Sequence, residues 1–449
     1  MPFLKLAVLA MAGVFVLTLP LLAQQTSQPA SSTSQAASQP TSAPAEATTQ
    51  KAEAEEAPHD FWHRSTMTDN WFGVGKTLEQ YGVKTQLAFT QLYQQNLQGG
   101  RSTQTRIGRY AGRWDWRIDV DLDKLAKIPG GSIFMLTRGG WTNGINNPAV
   151  GALFNVDNIA TDTPIFIKDL FYQQRLFNDK VAVRIGKIDL TNTFQCRGCP
   201  ATFDGNTFAN DETTQFVNSS LINNPSIPFP EPGLGAVLYT EPIDGWYFSG
   251  AVADANAKVT ESGFNTAFSG PAEAFNIYET GITPAFKSAN GFLQGAYRAG
   301  FWLDGRRKPY ISGEGYKTND MGMYLSFDQM LYRVSKKDGD NRGLGVFGRY
   351  GFAGELANPT YEFWSAGAQY QGLIPTRDND VLAFGFAQGS LSEASSLSLP
   401  YDNETVFESY YRCQITSWLH ISPDYQYIFH PSGELPNASV IGVRVYLNF

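Results

Sequence analysis

The sequence has few cysteines, few charges and almost no long apolar run, and each shortage excludes a class of protein. Its 449 residues include three cysteines and four histidines, so the sequence predicts neither a disulfide scaffold nor a zinc-binding fold. Charged residues make up 17% and the formal net charge is −8, so the basic excess of a nucleic-acid-binding protein is absent. A spanning helix needs roughly 20 apolar residues, and after residue 23 no stretch approaches that length.

Aromatic residues and glycines are abundant instead. Aromatic side chains make up 14% of the chain, which also contains 43 glycines, a composition typical of β-rich proteins with tight turns. The mean hydropathy of −0.26 argues against a helical membrane protein. Because lipid offers no water to open sheet edges, a closed barrel is the arrangement by which such a chain could cross a membrane.

The first 58 residues differ in composition from the rest. Residues 1–23 predict a secretory signal, with Lys5, an apolar run over 6–19 and a cleavage site at Ala23. Residues 24–58 are rich in Gln, Ser, Thr, Ala and Pro without apolar periodicity, which predicts a disordered periplasmic linker. A short coiled or wall-associated element is the weaker alternative. The ordered domain is expected over 59–449.

The clearest strand signals are the chain's end and an internal run at 114–123. From Val440 to Phe449, apolar residues alternate with small or polar ones, as on a strand with one apolar face. In the run 114–123, four carboxylates and Arg117 share the face opposite Trp114 and Trp116. That charged face must meet water, because burying it would be costly. A soluble sheet and a water-filled barrel both satisfy this requirement.

Similar runs recur along the chain. We count about fifteen, and since membrane barrels of this kind have an even strand number, about sixteen strands are predicted. Short connections alternate with longer ones, which is the asymmetry of outer-membrane barrels. The fold class predicted is therefore all-β, a transmembrane antiparallel β-barrel, with a short N-terminal helix over 71–82 that Asp69 or Asn70 would cap and Gly82 would end.

The longest break between strand signals runs over 189–232. A structureless loop of this length is usually functional, and we predict that it folds into the lumen and narrows it, with an external loop as the alternative. It contains Cys196 and Cys199. Their surroundings lack the second cysteine pair of a zinc site and the βαβ pattern of a thioredoxin-like motif. A local disulfide between them is predicted, since exported proteins meet an oxidising compartment.

Alternation also predicts which charged side chains face the lumen. The candidate pore-lining residues are Arg117, Asp119, Arg298, Asp328, Arg349, Glu408, Arg412 and Arg444. Guanidinium and carboxylate groups make paired hydrogen bonds that suit adjacent sugar hydroxyls, whereas a ring of one sign would select ions. Polar pore lining is also favoured for His420, Ser422 and Asp424, because strand neighbours two residues apart lie about 7 Å apart, too far for a catalytic triad. No catalytic residue, cofactor or metal site is predicted.

Several segments carry a family resemblance. The segments 404–408 (Glu-Thr-Val-Phe-Glu), 411–412, 418–427 and 430–433 resemble the C-terminal signature of the carbohydrate-selective porins of the OprB type. The segment 328–333, followed by 342–345, is similar to that family's mid-barrel motif, and 71–83 and 110–113 are similar to its N-terminal motifs. The resemblance covers about residues 65–449. Phe72, Cys413 and Ser432 depart from the pattern.

The resemblance implies a sixteen-stranded barrel that passes mono- or small oligosaccharides through a constriction of arginine, acidic and aromatic groups. Matching motifs extend that role to Asp328, Glu408 and Arg412. The expected partners are sugars as solutes, outer-membrane lipid and the barrel-assembly machinery, the last through Phe449. A homotrimer is an alternative to a monomer, and the expected location is the outer membrane of a diderm bacterium. The rival functions are a general porin, an outer-membrane hydrolase that uses His420, and a non-conducting structural barrel.

Overall fold

The computed structural model describes residues 60–191, 203–259, 264–268, 273–337, 339–392 and 399–449. The predicted signal segment 1–23, the predicted linker 24–58 and the pair Cys196 and Cys199 lie outside these residues.

The strands follow one another along the described chain. They are β1 (Val83–Gln98), β2 (Tyr110–Asp121), β3 (Gly131–Gly140), β4 (Phe166–Leu176), β5 (Val181–Ile188), β6 (Gly233–Ile243), β7 (Trp246–Asp254), β8 (Ala274–Ile282), β9 (Ala285–Ser288), β10 (Gly291–Asp304), β11 (Lys308–Pro309), β12 (Tyr316–Lys317), β13 (Asp320–Arg333), β14 (Gly343–Ala353), β15 (Thr360–Gln371), β16 (Val381–Leu391), β17 (Asn403–Gln414), β18 (Leu419–Phe429) and β19 (Ala438–Asn448). The strands β11 and β12 pair only with each other among the described residues.

All the other strands form one closed antiparallel barrel. Each pairs with its neighbours along the chain, and β19 returns to β1 with Phe89 opposite Leu447 and Tyr93 opposite Val443. Both β8 and β9 pair with β10, so they are two halves of one interrupted strand. The described residues therefore form a sixteen-stranded barrel, which confirms the predicted fold class and strand number.

The strand that alternation missed is β8. Phe275 and Ile277 point into the barrel and are fully buried, while Ile282 on the opposite face is 50% exposed. Large apolar side chains therefore occupy both faces of β8. An alternating pattern cannot arise on such a strand, and only the even-number rule indicated that one was missing.

The outer surface of the barrel is apolar. On β13, Met321, Met323 and Leu325 are 54–58% exposed and alternate with the buried Tyr324 and Ser326. Across the described residues, no helix has the length and apolar character that crossing a membrane would require.

The described helices are short and lie in the N-terminal segment and in the connections between strands. They are α1 (Asp69–Phe72), α2 (Val74–Gln80), α3 (Leu122–Ala126), α4 (Ser219–Ile222) and α5 (Asn265–Phe268), with single turns at Phe61–His63, Asn146–Val150 and Pro431–Gly433.

The predicted N-terminal helix differs from the observed one in its start. Gly73, with φ of 88°, separates α1 from α2, so regular helix begins only at Val74. The Thr68 hydroxyl accepts from the Trp71 amide at 3.1 Å. Thr68 therefore caps α1, while α2 has Gly73 at its N-cap without a side-chain hydrogen bond, and the prediction of Asp69 or Asn70 as the cap was wrong. The helix ends close to the predicted Gly82, which has a φ of 87°.

The two ends of the barrel differ in the length of their connections. One end has the shorter connections 122–130, 177–180, 244–245, 289–290, 334–342, 372–380 and 415–418. The other end has the longer connections 99–109, 141–165, 189–232, 255–273 and 305–319, together with 354–359, 392–402 and 430–437. The N-terminal segment packs at the short-turn end, where Trp418 Nε1 donates to the Phe61 carbonyl at 3.2 Å.

Candidate functional site

Two connections from the long-loop end fold into the barrel. We call 141–165 the first inward loop and 189–232, of which 189–191 and 203–232 are described, the second inward loop. The second loop contacts strands on different sides of the barrel. The Thr207 amide donates to Asp328 on β13 at 3.3 Å, and Arg444 on β19 donates to the Glu212 carbonyl at 2.8 Å. The structure therefore places the described part of this loop inside the barrel.

The described residues of the second inward loop fill the side of the barrel formed by β6–β10, β13 and β14. Phe203 and Ile227 of the loop join a buried apolar cluster with inward side chains such as Phe275 and Trp302. Within this cluster Glu279 is fully enclosed. Its carboxylate accepts hydrogen bonds from Tyr247 Oη at 2.8 Å, Tyr324 Oη at 2.9 Å and the Asp204 amide at 2.9 Å. This half of the barrel interior is thus packed like a protein core.

Three of the predicted lining residues lie in this packed half, and two of them, Asp328 and Arg349, contact the loop. The Arg349 guanidinium donates to the carbonyls of Ala209 and Leu221, the latter at 2.9 Å, and lies 3.4 Å from the Asp204 carboxylate. Arg298 and Asp328 form an ion pair at 2.8 Å and are each at most 8% exposed. The donors of Arg349 are therefore met by loop carbonyls beside Asp204, and Arg298 and Asp328 neutralise each other.

Glu408 is also enclosed. Its carboxylate accepts from the amides of Val217 at 2.6 Å and Asn218 at 2.9 Å, and the residue is 0% exposed. Arg412, on the same strand face, lies near the short-turn end, where its guanidinium donates to the Asn379 carbonyl at 3.4 Å. The structure thus places the predicted lining residues of β17 at different depths of the barrel.

A cavity of about 900 Å³ remains between the second inward loop and the wall formed by β1–β4. Its lining combines four cationic and five acidic side chains with aromatic rings. The cationic residues are Arg113, Arg117, Arg138 and Lys168, the acidic residues are Asp115, Asp189, Asp211, Glu212 and Glu231, and the aromatic residues are Phe134, Phe166 and Tyr446. Because β2 and β3 carry most of the cationic groups and the loop most of the acidic ones, opposite charges face each other across the cavity.

Glu212 ties the second inward loop to this wall. Its carboxylate lies 2.7 Å from Arg113 Nη1 and 3.8 Å from Arg138 Nη2. Both guanidiniums also bind Asp115, at 2.8 and 2.6 Å. Burial opposes ionisation of Glu212, but the two guanidiniums outweigh it and hold its pKa well below the usual range. The loop is therefore held to the wall by the ionised Glu212 carboxylate and the two guanidiniums that it contacts.

Arg117 is a partly exposed guanidinium of the predicted set. It makes a two-pronged contact with Asp119, at 2.6 and 3.0 Å, and both side chains are 33% exposed. Its guanidinium carbon lies 5.0 Å from the centre of the Phe134 ring. A solute in the cavity thus meets a hydrogen-bonding pair beside an aromatic face.

The predicted set therefore divides into several groups. Arg117 and Asp119 lie together, with Arg117 on the cavity wall, whereas Arg298, Asp328, Arg349, Glu408 and Arg444 are buried against the loop or one another. Sequence reasoning did not select Arg113, Asp115 or Arg138 as lining residues. Arg113 and Asp115 share the inward face of β2 with Arg117, so alternation could have found them. No pattern in the sequence near Glu212 indicates that its carboxylate pairs with Arg113 on the cavity wall.

The residues considered for a catalytic triad have separate neighbours. Asp424 accepts from Gln426 Nε2 at 3.1 Å, and Ser422 is paired in register with Arg444. The His420 ring lies 5.6 Å from that of Tyr446. These contacts are those of side chains that fill the inside of a barrel.

A closed barrel with an apolar outer face, loops folded into it and a charged cavity defines a membrane channel of the porin class. The model of the carbohydrate-selective porin, OprB family, matches residues 105–449, and the chain belongs to this family. It is therefore a carbohydrate porin of the bacterial outer membrane.

Curated relatives and solved structures agree with this assignment. Porin B of Pseudomonas aeruginosa is 23% identical over 443 residues, which cover 89% of this chain and 94% of that protein. Porin AaxA of Chlamydia trachomatis is 25% identical over 284 residues, 62% of this chain and 54% of that protein. A high-pH structure of Pseudomonas putida OprB superimposes with a TM-score of 0.74 at 19% identity, covering 87% of this chain and all of that one. The structural similarity shows the shared fold.

Proposed function

We propose that mono- and small oligosaccharides diffuse passively through the cavity beside β1–β4, and that no chemistry accompanies their passage. The observation that carries this proposal is the lining itself, in which cationic and acidic groups are nearly equal in number and aromatic faces lie among them. Sugars would exchange water for these groups as they move down their gradient.

The near balance of charge favours neutral solutes. A ring of one sign would concentrate ions of the other sign, whereas here each cationic side chain of the wall faces a carboxylate. Lys168, for example, lies 2.6 Å from Asp189. A neutral polyol can replace water at such pairs without separating charge. Release must stay fast, so millimolar affinity is expected, about 4 kcal/mol.

Arg117, Asp119 and Phe134 support the preference for sugars over other neutral solutes. A guanidinium and a carboxylate held side by side offer donors and acceptors at the spacing of neighbouring hydroxyls. The Phe134 ring beside them provides an apolar surface for the C–H face of a sugar. A neutral solute of similar size without adjacent hydroxyls would gain fewer of these contacts.

Liposome swelling with purified protein tests this function. Glucose and a disaccharide are compared with neutral and ionic solutes of matched size. Faster swelling in the sugars supports the proposal, and equal rates for all matched solutes would indicate a general porin. Absence of swelling with a folded, heat-modifiable barrel would favour the structural alternative. The hydrolase alternative is tested with His420→Ala, which we expect to leave sugar flux nearly intact.

The remaining features of the expected outer-membrane protein are also proposals. Residues 1–23 would direct export and 24–58 would form a periplasmic linker, while Cys196 and Cys199 would form a disulfide. Phe449, whose amide donates to the Leu87 carbonyl at 2.9 Å, would present the closing strand to the barrel-assembly machinery. Crosslinking in native outer membranes would distinguish a homotrimer from a monomer.

A further inference from the structure

Four inward polar side chains, which we call the latch, together contact the two inward loops. They are Gln94 on β1, Glu404 and Glu408 on β17, and Gln426 on β18. We propose that the latch positions the two loops as one unit and thereby sets the aperture of the pore and its discrimination between solutes. The part of this inference that concerns sugar discrimination rests on the proposed function, whereas the aperture does not.

Glu408 holds the second inward loop. Each of its two carboxylate oxygens accepts from a different backbone amide, Val217 at 2.6 Å and Asn218 at 2.9 Å. These amides lie in the loop between two segments that line the cavity, 206–215 and 222–223. Fixing them therefore fixes both segments of the cavity wall.

Glu404 holds the first inward loop in the same way. Its carboxylate accepts from the amides of Leu153 at 2.7 Å and Phe154 at 2.8 Å, and from Ser432 at 2.6 Å. Glu404 and Glu408 are four residues apart and so share the inward face of β17. One strand face thus carries an anchor for each loop.

The glutamines join the two anchoring points. The Val156 carbonyl of the first loop accepts from both Gln94 Nε2 and Gln426 Nε2, each at 2.9 Å. Gln426 Oε1 in turn accepts from Asn218 Nδ2 of the second loop at 3.0 Å. Gln426 therefore contacts both loops with a single amide group.

The loops also bind each other beside the latch. The Asn158 amide donates to the Val217 carbonyl at 2.8 Å, and the Ser219 amide donates to the Asn155 carbonyl at 2.9 Å. Ile159 of the first loop and Val217 of the second are buried together. Movement of one loop away from the wall would consequently break contacts made by the other.

The latch residues act without touching a solute. Glu404, Glu408 and Gln426 are 0% exposed and Gln94 is 1% exposed, so they are positioning residues. The barrel closes through strand pairing that does not involve the loops, including the long pairing of β1 with β19. Loss of the latch should therefore release the loops while the barrel persists, as expected for a locally less stable region.

Glu408→Gln tests the proposal in the full-length protein. Glutamine has a single oxygen, so one of the two loop amides would face a nitrogen and lose its acceptor. Loss of a hydrogen bond to a buried amide should shift the balance between docked and released loop by about ten-fold. Glu362→Gln is the matched control, because Glu362 lies on the lipid-facing side of β15 and binds Tyr350 Oη at 2.9 Å.

Single-channel conductance and sugar-to-solute flux ratios are measured for each variant, with heat-modifiability as the check on barrel folding. Glu408→Gln should raise conductance and current noise and lower the flux ratio several-fold. Glu404→Gln should have a smaller effect, since the first loop supplies only Asn158 and Ala160 to the cavity. Glu362→Gln should match the wild type.

Wild-type conductance in a folded Glu408→Gln barrel would overturn the proposal, as would an equal change in Glu362→Gln. If Glu408→Gln does not fold, Asn218→Ala removes the link to Gln426 without altering any strand and should change conductance in the same direction. If wild-type protein shows no preference for sugars, the proposed function fails, but conductance still reports whether the latch sets the aperture.

Discussion

Replacing Arg117 with lysine separates the shape of this side chain from its charge. Arg117 holds Asp119 through two hydrogen bonds at 2.6 and 3.0 Å and lies over the Phe134 ring, with a third of its side chain open to the cavity. Lysine keeps the positive charge but lacks the planar fork that can serve two adjacent hydroxyls. Arg117→Gln removes the charge as well and leaves Asp119 without its ionic partner.

The expected sizes of the two effects follow from the geometry. Loss of one net hydrogen bond to a sugar costs about 1 kcal/mol, which lowers sugar affinity about five-fold in both variants. A unit charge about 4 Å from an ion in water changes the ion's free energy by about 1 kcal/mol. Removing the positive charge stabilises a cation and destabilises an anion by about that amount each, about five-fold per ion. Arg117→Gln should therefore raise the cation-to-anion permeability ratio about 25-fold, while Arg117→Lys should leave it unchanged.

Planar bilayers allow both quantities to be measured on one protein. Reversal potentials in a salt gradient give the permeability ratio, and block of the ion current by added glucose gives sugar affinity. Our reasoning would be refuted if both variants bound glucose like the wild type, because the fork would then have no part in sugar binding. A shift of reversal potential in Arg117→Lys would show that the loop or the wall had moved.

Further predictions concern the second inward loop. Glu212→Gln should increase current noise at neutral pH, because it breaks the ion pair with Arg113. Unchanged noise would show that this ion pair does not hold the loop to the wall. Burial raises the pKa of Asp204 from its usual 3.8 to about 7, so docking of the loop favours the protonated acid and weakens as the pH rises from about 4 to about 7. Asp204→Asn should therefore flatten the dependence of current noise on pH between about 4 and about 7, whereas an unaltered dependence would point to other groups. Phe216→Ala removes a buried ring 5.7 Å from Phe347 and should weaken loop docking by about 3–5 kcal/mol, seen as faster limited proteolysis of the loop in an intact barrel.

Much of the barrel could be predicted from the sequence because lipid and lumen impose a period of two on each strand. On β2, the outward Trp114 and Trp116 alternate with inward charges, and pairing with β1 and β3 preserves that division. The rule that such barrels have an even number of strands then indicated one further strand, which is β8. The start of the N-terminal helix was misplaced because Gly73, with φ of 88°, interrupts it, so that the regular helix starts only at Val74.

The site could be predicted less completely. Alternation correctly turns Arg349 and Glu408 inward, but it does not tell whether water or protein meets them there. Their partners lie far away in the sequence, since Arg349 binds Ala209 and Glu408 binds Asn218 across 140 and 190 positions. No local sequence pattern specifies contacts between residues so far apart in the chain. The sequence therefore predicted the lining residues and the inward loop separately, but not which lining residues bind the loop.

The inward faces nevertheless differ in a way that separates anchors from cavity wall. On β2 the inward positions carry an unbroken row of charges, Arg113 to Asp119 at every second residue, and most of this row borders the cavity. On β17 the inward Glu408 stands between Val406 and Tyr410, and both neighbours are buried in an apolar cluster with the loop. An isolated charge among apolar neighbours can keep its hydrogen bonds only if protein supplies them, because the surrounding surface excludes water. A continuous row of charges, in contrast, can pair within itself, as Arg113 does with Asp115 and Arg117 with Asp119. Arg113 is buried, whereas Arg117 and Asp119 each keep a third of the side chain exposed.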